Sequence, residues 1–148
     1  MIYPYPIRVG DDRIRKLIWK FRIKFREKWR NFKTMKIKLK RVYEPPEKED
    51  GFRILVDRLW PRGLSKDKAR VDLWLKEIAP SDELRKDFHG EKLEWKEFKN
   101  RYLRELREKE EDLEVLREKA KEGQVSLIYG AKNEEQNQAV VLLEVLEE

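Results

Sequence analysis

In "KIKLKRVY", residues 36–43, Ile37, Leu39 and Val42 alternate with basic residues, the period-two pattern of a strand. The polar "EPPEKEDG", with two prolines and a glycine, ends it. A second strand is expected in "FRILVDRL" (52–59), because the unbroken run Ile54, Leu55, Val56 suits a sheet covered on both faces. "WPRGLSKDKA" reads as a loop with one helical turn from Ser65, an acceptable cap. "RVDLWLKEI" (70–78) fits a helix by Val71, Trp74, Leu75 and Ile78, or a strand by Val71, Leu73 and Leu75. The strand is favoured, since the following "APS" is a good stop and restart.

Ser81 can cap a short helix, "DELRKDFH", that Gly90 ends. From Leu93 to Glu122 the pattern predicts one long helix, with Trp95, Phe98, Tyr102, Leu106, Leu113, Leu116 and Ala120 on one face and Gly123 just past its end. "QVSLIYGA" (124–131), rich in β-branched and aromatic residues, is the last strand. Asn133 with Gln136 three residues on resembles a capping box for a final helix carrying Ala139, Leu142, Leu143 and Leu146. Strands separated by helical crossovers predict an α/β domain over residues 35–148: a small, mostly parallel sheet of about four strands flanked by helices.

The first 34 residues do not share this order. In "IRKLIWKFRIKFREKWRNF", Ile14, Ile18, Phe21, Phe25, Trp29 and Phe32 fit a helical face, whereas Leu17, Trp19, Phe21, Ile23 and Phe25 alternate as a strand would. Charge sets the segment apart as well: the chain carries a net +6, yet residues 1–34 hold 11 Lys or Arg against 3 acids, and the remainder holds 25 against 27. The basic excess therefore lies entirely in an amino-terminal arm. A second Met at position 35 leaves two readings of that arm open: a segment outside the natural product, or a surface or oligomerisation arm.

Composition narrows the chemistry. With 148 residues, 39% hydrophobic content and five Trp, the chain has material for one folded core despite 45% charged residues. The absence of cysteine excludes disulfides, thiolate catalysis and thiolate metal sites, and a single histidine, His89, leaves little for a zinc centre. Abundant Glu and Lys with only two Met fit a protein built for high temperature. No apolar run reaches the roughly 18 residues of a membrane span, and no signal peptide is evident, so a soluble cytoplasmic protein is expected.

In open α/β sheets, ligands collect beyond the carboxyl ends of the strands. That rule places Asp57, Arg58, Trp60 and Arg62 at the end of the second strand, Ser81 and Arg85 beyond the third, and Tyr129, Lys132, Asn133 and Asn137 beyond the fourth. Several Arg and Lys near two helix amino termini make an anion site, since guanidinium forks and unpaired backbone N–H groups both suit phosphate or carboxylate. Each residue also has a structural reading. Asp57 and Arg58 can form an ion pair that ties two loops, Trp60 can plug a packing gap, His89 can complement a helix carboxyl terminus, and Asn133 and Asn137 can cap and pack a helix. No glycine-rich phosphate loop, nucleophile elbow or metal motif occurs, and no cofactor is indicated.

"GFRILVDRLWPRGL", "APSDELRKDFHG", "FKNRYLREL" and "LIYGAKNEEQNQAVVL", in this order, closely resemble the YeaO-like group of the domain-of-unknown-function 488 family. The likeness runs from about Lys36 to Leu146 and leaves the arm outside. It implies a compact α/β domain in a bacterial or archaeal cytoplasm and assigns no activity. Its pattern centres on Asp57, Arg58, Trp60, Pro61, Arg62 and Gly63, then on Pro80, Ser81, Leu84, Arg85, Phe88, His89 and Gly90, and finally on Tyr102, Lys132, Asn137 and Ala139. Where family members often carry Asn-His-Ala, this chain has Asn137, Gln138 and Ala139, so a general acid–base histidine at 138 is lost. Distant relatives resemble one another in a cysteine near the end of the last strand; here Tyr129 and Gly130 stand, and a thiol-dependent activity does not transfer.

The functional expectation is a small anionic ligand, phosphorylated or carboxylated, bound at the strand ends. Arg58, Arg62, Arg85 and Lys132 would supply charge, Trp60 a flat wall, and Ser81 and Asn137 orienting hydrogen bonds. Any hydrolase or transferase chemistry would use Asp57 or His89 to move a proton. The alternatives are nucleic-acid binding through residues 1–34, with Trp19 or Trp29 stacking on bases, and an assembly role in which the arm packs on a second subunit of a homo-oligomer.

Overall fold

The computed structural model describes residues 37–148. The helix-or-strand question raised by the basic arm falls outside them. Four strands form one sheet: β1 (Ile37–Arg41), β2 (Phe52–Leu55), β3 (Leu73–Trp74) and β4 (Val125–Tyr129), in the order β1-β4-β2-β3 and parallel throughout. The last strand in sequence lies inside the sheet, between β1 and β2. Leu127 therefore pairs with Leu39 on one side and Ile54 on the other. All five β4 residues are buried, as a strand covered on both faces requires.

Five helices connect and cover these strands: α1 (Lys66–Ala69), α2 (Asp82–His89), α3 (Trp95–Leu106), α4 (Glu110–Glu122) and α5 (Gln138–Glu147). Alternation along each strand sorts the side chains into two unequal layers. On one face Ile54, Val125, Leu127 and Tyr129 pack with Leu84 of α2, Phe98, Tyr102 and Leu106 of α3, Leu113 and Leu116 of α4, and Ala139, Val141, Leu142 and Leu146 of α5. Each large apolar side chain buried there contributes about 1.5–3 kcal/mol. The opposite face holds a small cluster, Val42, Leu55, Ala69 and Ile128, with Trp60, Leu64 and Val71 against it. That face also carries polar side chains, of which Lys40, Arg53 and Ser126 are buried.

Those polar groups meet at the amino end of β2. Lys40 Nζ donates to both Asp50 oxygens, at 3.0 and 3.1 Å, and to Glu47 at 3.0 Å. Arg53 Nη1 reaches Asp50 Oδ2 at 2.5 Å, while its other guanidinium nitrogens donate to the carbonyls of Ala69 and Arg70. Ser126 Oγ donates to the Asp50 carbonyl. Burial opposes the charge on Asp50 and on Lys40. The Glu47 N–H and the two cations outweigh it at Asp50, whose carboxyl lies below its ordinary range, and the two acids outweigh it at Lys40, whose ammonium lies above its own.

Three local expectations need correction. The long periodic stretch is two helices, because Arg107–Lys109 turn away from the axis through i→i+3 backbone bonds. Lys109 places its ammonium on the Ala79 carbonyl at 2.7 Å, and Glu110, Glu111 and Asp112 then fill a new first turn, where the helix dipole favours acids. The seven-residue step from Leu106 to Leu113 keeps the apolar phase across the break and so conceals it. The final helix is capped by Asn137, whose Oδ1 accepts from Val140 N at 3.1 Å, and not by Asn133, whose Oδ1 closes the preceding turn on Glu135 and Gln136. In 70–78 only Leu73 and Trp74 pair with β2, and Lys76–Ile78 is a 3-10 turn. Ser65 and Ser81 do cap α1 and α2.

Candidate functional site

Because the strands are parallel, their carboxyl ends open on one edge, and the segments that leave them enclose a cleft of about 650 Å³. Asp57, Arg58, Trp60, Arg62, Arg85, His89, Lys132 and Asn137 all line it. Ser81 does not. Its hydroxyl accepts from Leu84 N and donates to Glu105 Oε2 at 2.6 Å, which commits it to the start of α2.

Asp57 lies two residues past the end of β2 and faces the residue that follows β4. Its Oδ2 accepts from the Gly130 N–H at 2.8 Å, and its Oδ1 accepts from the Gln138 side-chain amide at the start of α5. A Cβ at position 130 would stand 2.8 Å from Oδ2, so a side chain there would force the Asp57 carboxylate to shift. Burial pushes the Asp57 carboxyl up to about 6, and the two N–H donors offset only part of that. Arg58 forms no ion pair with it. The Arg58 guanidinium instead donates to the Pro80 and Ala79 carbonyls at 2.8 and 3.0 Å, with exposed Glu77 at 3.9 Å.

The wall opposite Asp57 is held from behind. Tyr102, buried in α3, donates its hydroxyl to the Ile78 carbonyl at 2.7 Å; Lys109 joins Arg58 on Ala79; Glu105 accepts from the Ser81 N–H at 2.8 Å. With both polar ends of this segment bonded, the start of α2 is fixed, and Arg85 and His89, one helical turn apart, take their places along the cleft. Tyr102 was legible in the sequence as core, and position 138 only as the place where family members often carry histidine; Glu105 and Lys109 gave no signal as supporting residues, since each acts through a partner distant along the chain.

The cations differ in what they have left to offer. Arg85 shares one nitrogen with exposed Asp82 at 3.2 Å, and its buried Nε has no partner. Arg62 and Lys132 are exposed and make no side-chain hydrogen bond or ion pair among the described residues. The His89 imidazole lies below its ordinary range, from partial burial first and then from Arg85, which favours its neutral form at pH 7. Apolar surface comes from Pro80, Trp60 and the stacked Phe88–Phe98 pair, 4.2 Å between ring centroids. Trp60 itself is anchored through its indole N–H on the Leu64 carbonyl and sits edge-on to Trp74. Asn137 is buried as the α5 cap, with its amide nitrogen on the Asn133 carbonyl. Among the described residues no three His, Asp or Glu side chains are grouped to hold a metal ion, and no helix is long and apolar enough to cross a membrane. Nucleic-acid binding and assembly through residues 1–34 concern positions outside the described ones.

A family model described as the inactive DUF488-N3 subclade matches residues 36–148. The uncharacterized protein YeaO of Escherichia coli K12 is 51% identical over 112 residues, covering 76% of this chain and 97% of its own length. The uncharacterized protein Rv3073c of Mycobacterium tuberculosis H37Rv is 37% identical over 111 residues, covering 75% and 93%. No solved structure matches the chain.

Proposed function

The chain belongs to the DUF488-N3 group, in the subclade described as inactive, and we propose that it binds a small anionic ligand in the strand-end cleft without transforming it. The observation that carries this reading is the convergence of Arg62, Arg85 and Lys132, from three separate stretches of chain, on one concave surface where their charges are unpaired or only weakly paired. A volume of about 650 Å³ with an apolar wall and a few polar groups has the character of a small-molecule site. Arg58 serves it as a positioning residue, its fork being spent on Ala79 and Pro80. Binding without turnover is supported by the cleft lining, which among the described residues contains no serine, threonine or cysteine. The one hydroxyl among those lining residues, on Tyr43, donates to the Arg62 carbonyl at 3.0 Å. Asp57, raised to about 6, can exchange protons near neutral pH, but a proton carrier alone does not make an acyl or phosphoryl acceptor.

The test is the denaturation midpoint of the full chain against phosphates and carboxylates of graded size. A ligand at a hundred times its dissociation constant adds about 2.7 kcal/mol. The shift should vanish in a chain carrying Arg62→Ala and Lys132→Ala together, and the bound ligand should be recovered unchanged. A shift that survives both substitutions, or a ligand returned as product, would refute the proposal.

A further inference from the structure

The floor and the rim of the cleft carry opposite charge. Asp57 is fixed in orientation by the Gly130 N–H and the Gln138 amide, and no cation among the described residues pairs with it, Arg58 having turned to the Ala79 and Pro80 carbonyls. A carboxylate held this way accepts hydrogen bonds and repels an anion. Arg62, Arg85 and Lys132, lining the same space, attract one. A bare anion satisfies the rim at the expense of the floor. A molecule with an anionic group at one end and a hydrogen-bond donor at the other satisfies both.

Resting on the anion-binding reading above, we propose that the ligand is a hydroxylated organic anion, a polyol phosphate or hydroxycarboxylate, whose hydroxyl donates to Asp57 while its anionic group meets Arg62, Arg85 and Lys132. The donor is a hydroxyl and not an ammonium because, among the described lining residues, three cations with charge to spare face a single carboxylate, and a further positive charge would enter against them. The carbon skeleton between the two ends lies along Pro80 and the Phe88–Phe98 pair.

Calorimetric titration of the full chain with glycerol, pentose and hexose phosphates, each against the alkyl phosphate of the same carbon count, reads the preference directly. The hydroxylated partner should bind about tenfold tighter, the usual worth of a hydrogen bond to a charged group. In Asp57→Asn the preference should shrink to about twofold, and the alkyl phosphate should bind more tightly than it does to the wild type, since the repelling charge is gone. That gain is a signature no loss of folding produces. Equal affinity within each pair, tighter binding of an aminoalkyl phosphate, or a uniform loss in Asp57→Asn would overturn the hydroxyl assignment while leaving anion binding intact. Failure of every phosphate and carboxylate to bind would overturn both.

Discussion

Two aspartates stand at opposite ends of β2, and the chain treats them in opposite ways. Asp50, at the amino end, is fully buried between Lys40 and Arg53, which are themselves 6% and 3% exposed. Asp57, past the carboxyl end, has amide donors and, among the described residues, no cation. The first carboxyl is driven below its ordinary range and the second is raised to about 6. Pairing converts a buried charge into a fastener, here between the 47–50 turn and the sheet. Withholding the pair, while keeping the carboxylate in place with neutral donors, leaves a buried charge without a counter-ion among the described residues. Polar residues thus mark a candidate site only where their partners are missing.

Breaking the fastener should have the largest effect. Asp50→Ala strands Lys40 and Arg53 in the interior without their shared counter-charge, and we expect a loss of about 3–5 kcal/mol in urea denaturation. A loss under 1 kcal/mol would show that Glu47 and backbone carbonyls suffice for those cations.

The two aspartates should also respond to pH with opposite sign. Asp57 has a folded value above its unfolded value of roughly 3.9, so the folded chain holds the extra proton between about pH 4 and 6. Its contribution is complete below that window and is lost as pH rises through 6. Asp50, depressed in the fold, contributes above its unfolded value and loses that contribution as pH falls through its folded one. Stability profiles of the wild type and Asp57→Asn should therefore diverge by up to about 3 kcal/mol in favour of the variant between pH 4 and 7. Parallel profiles would mean that Asp57 is solvated in the native state.

Sharpening the comparison at the cleft itself, Gly130→Ala should push the Asp57 carboxylate from its backbone donor and cost about 1–3 kcal/mol, with ligand affinity falling alongside. The smallest expected change in stability is for Arg62→Ala and Lys132→Ala, within about 0.5 kcal/mol of wild type, because neither side chain has a hydrogen-bond or ion-pair partner among the described residues. Their effect should appear in ligand binding alone. Destabilisation beyond 1 kcal/mol by either would place that cation in the scaffold.

Much of this was readable along the chain. The alternation in 37–42, the apolar run 54–56 and the β-branched stretch 125–129 each mark a strand, because side-chain parity is a local property. The strand-end rule then brought Asp57, Arg62, Arg85, His89 and Lys132 to one edge without knowledge of any contact. Local chemistry failed where two neighbours offered the same service. Asn133 and Asn137 are equally good caps, and only the packing of α5 chooses between them.

The order of the sheet and the partnership of its charges belong to the tertiary structure. Periodicity shows that 125–129 is a strand but not that it lies between β1 and β2, and that placement alone brings Gly130 and Gln138 to Asp57. Likewise Lys40, Asp50 and Arg53 look like ordinary surface charge until the 47–50 turn folds under the sheet. The sequence by itself determined which segments could be strands and helices and which faces were apolar, because those follow from the period of the pattern. Which buried charge finds a counter-ion and which finds only amide donors was decided only in three dimensions, because electrostatic pairing depends on distance in space and the chain records only distance in sequence.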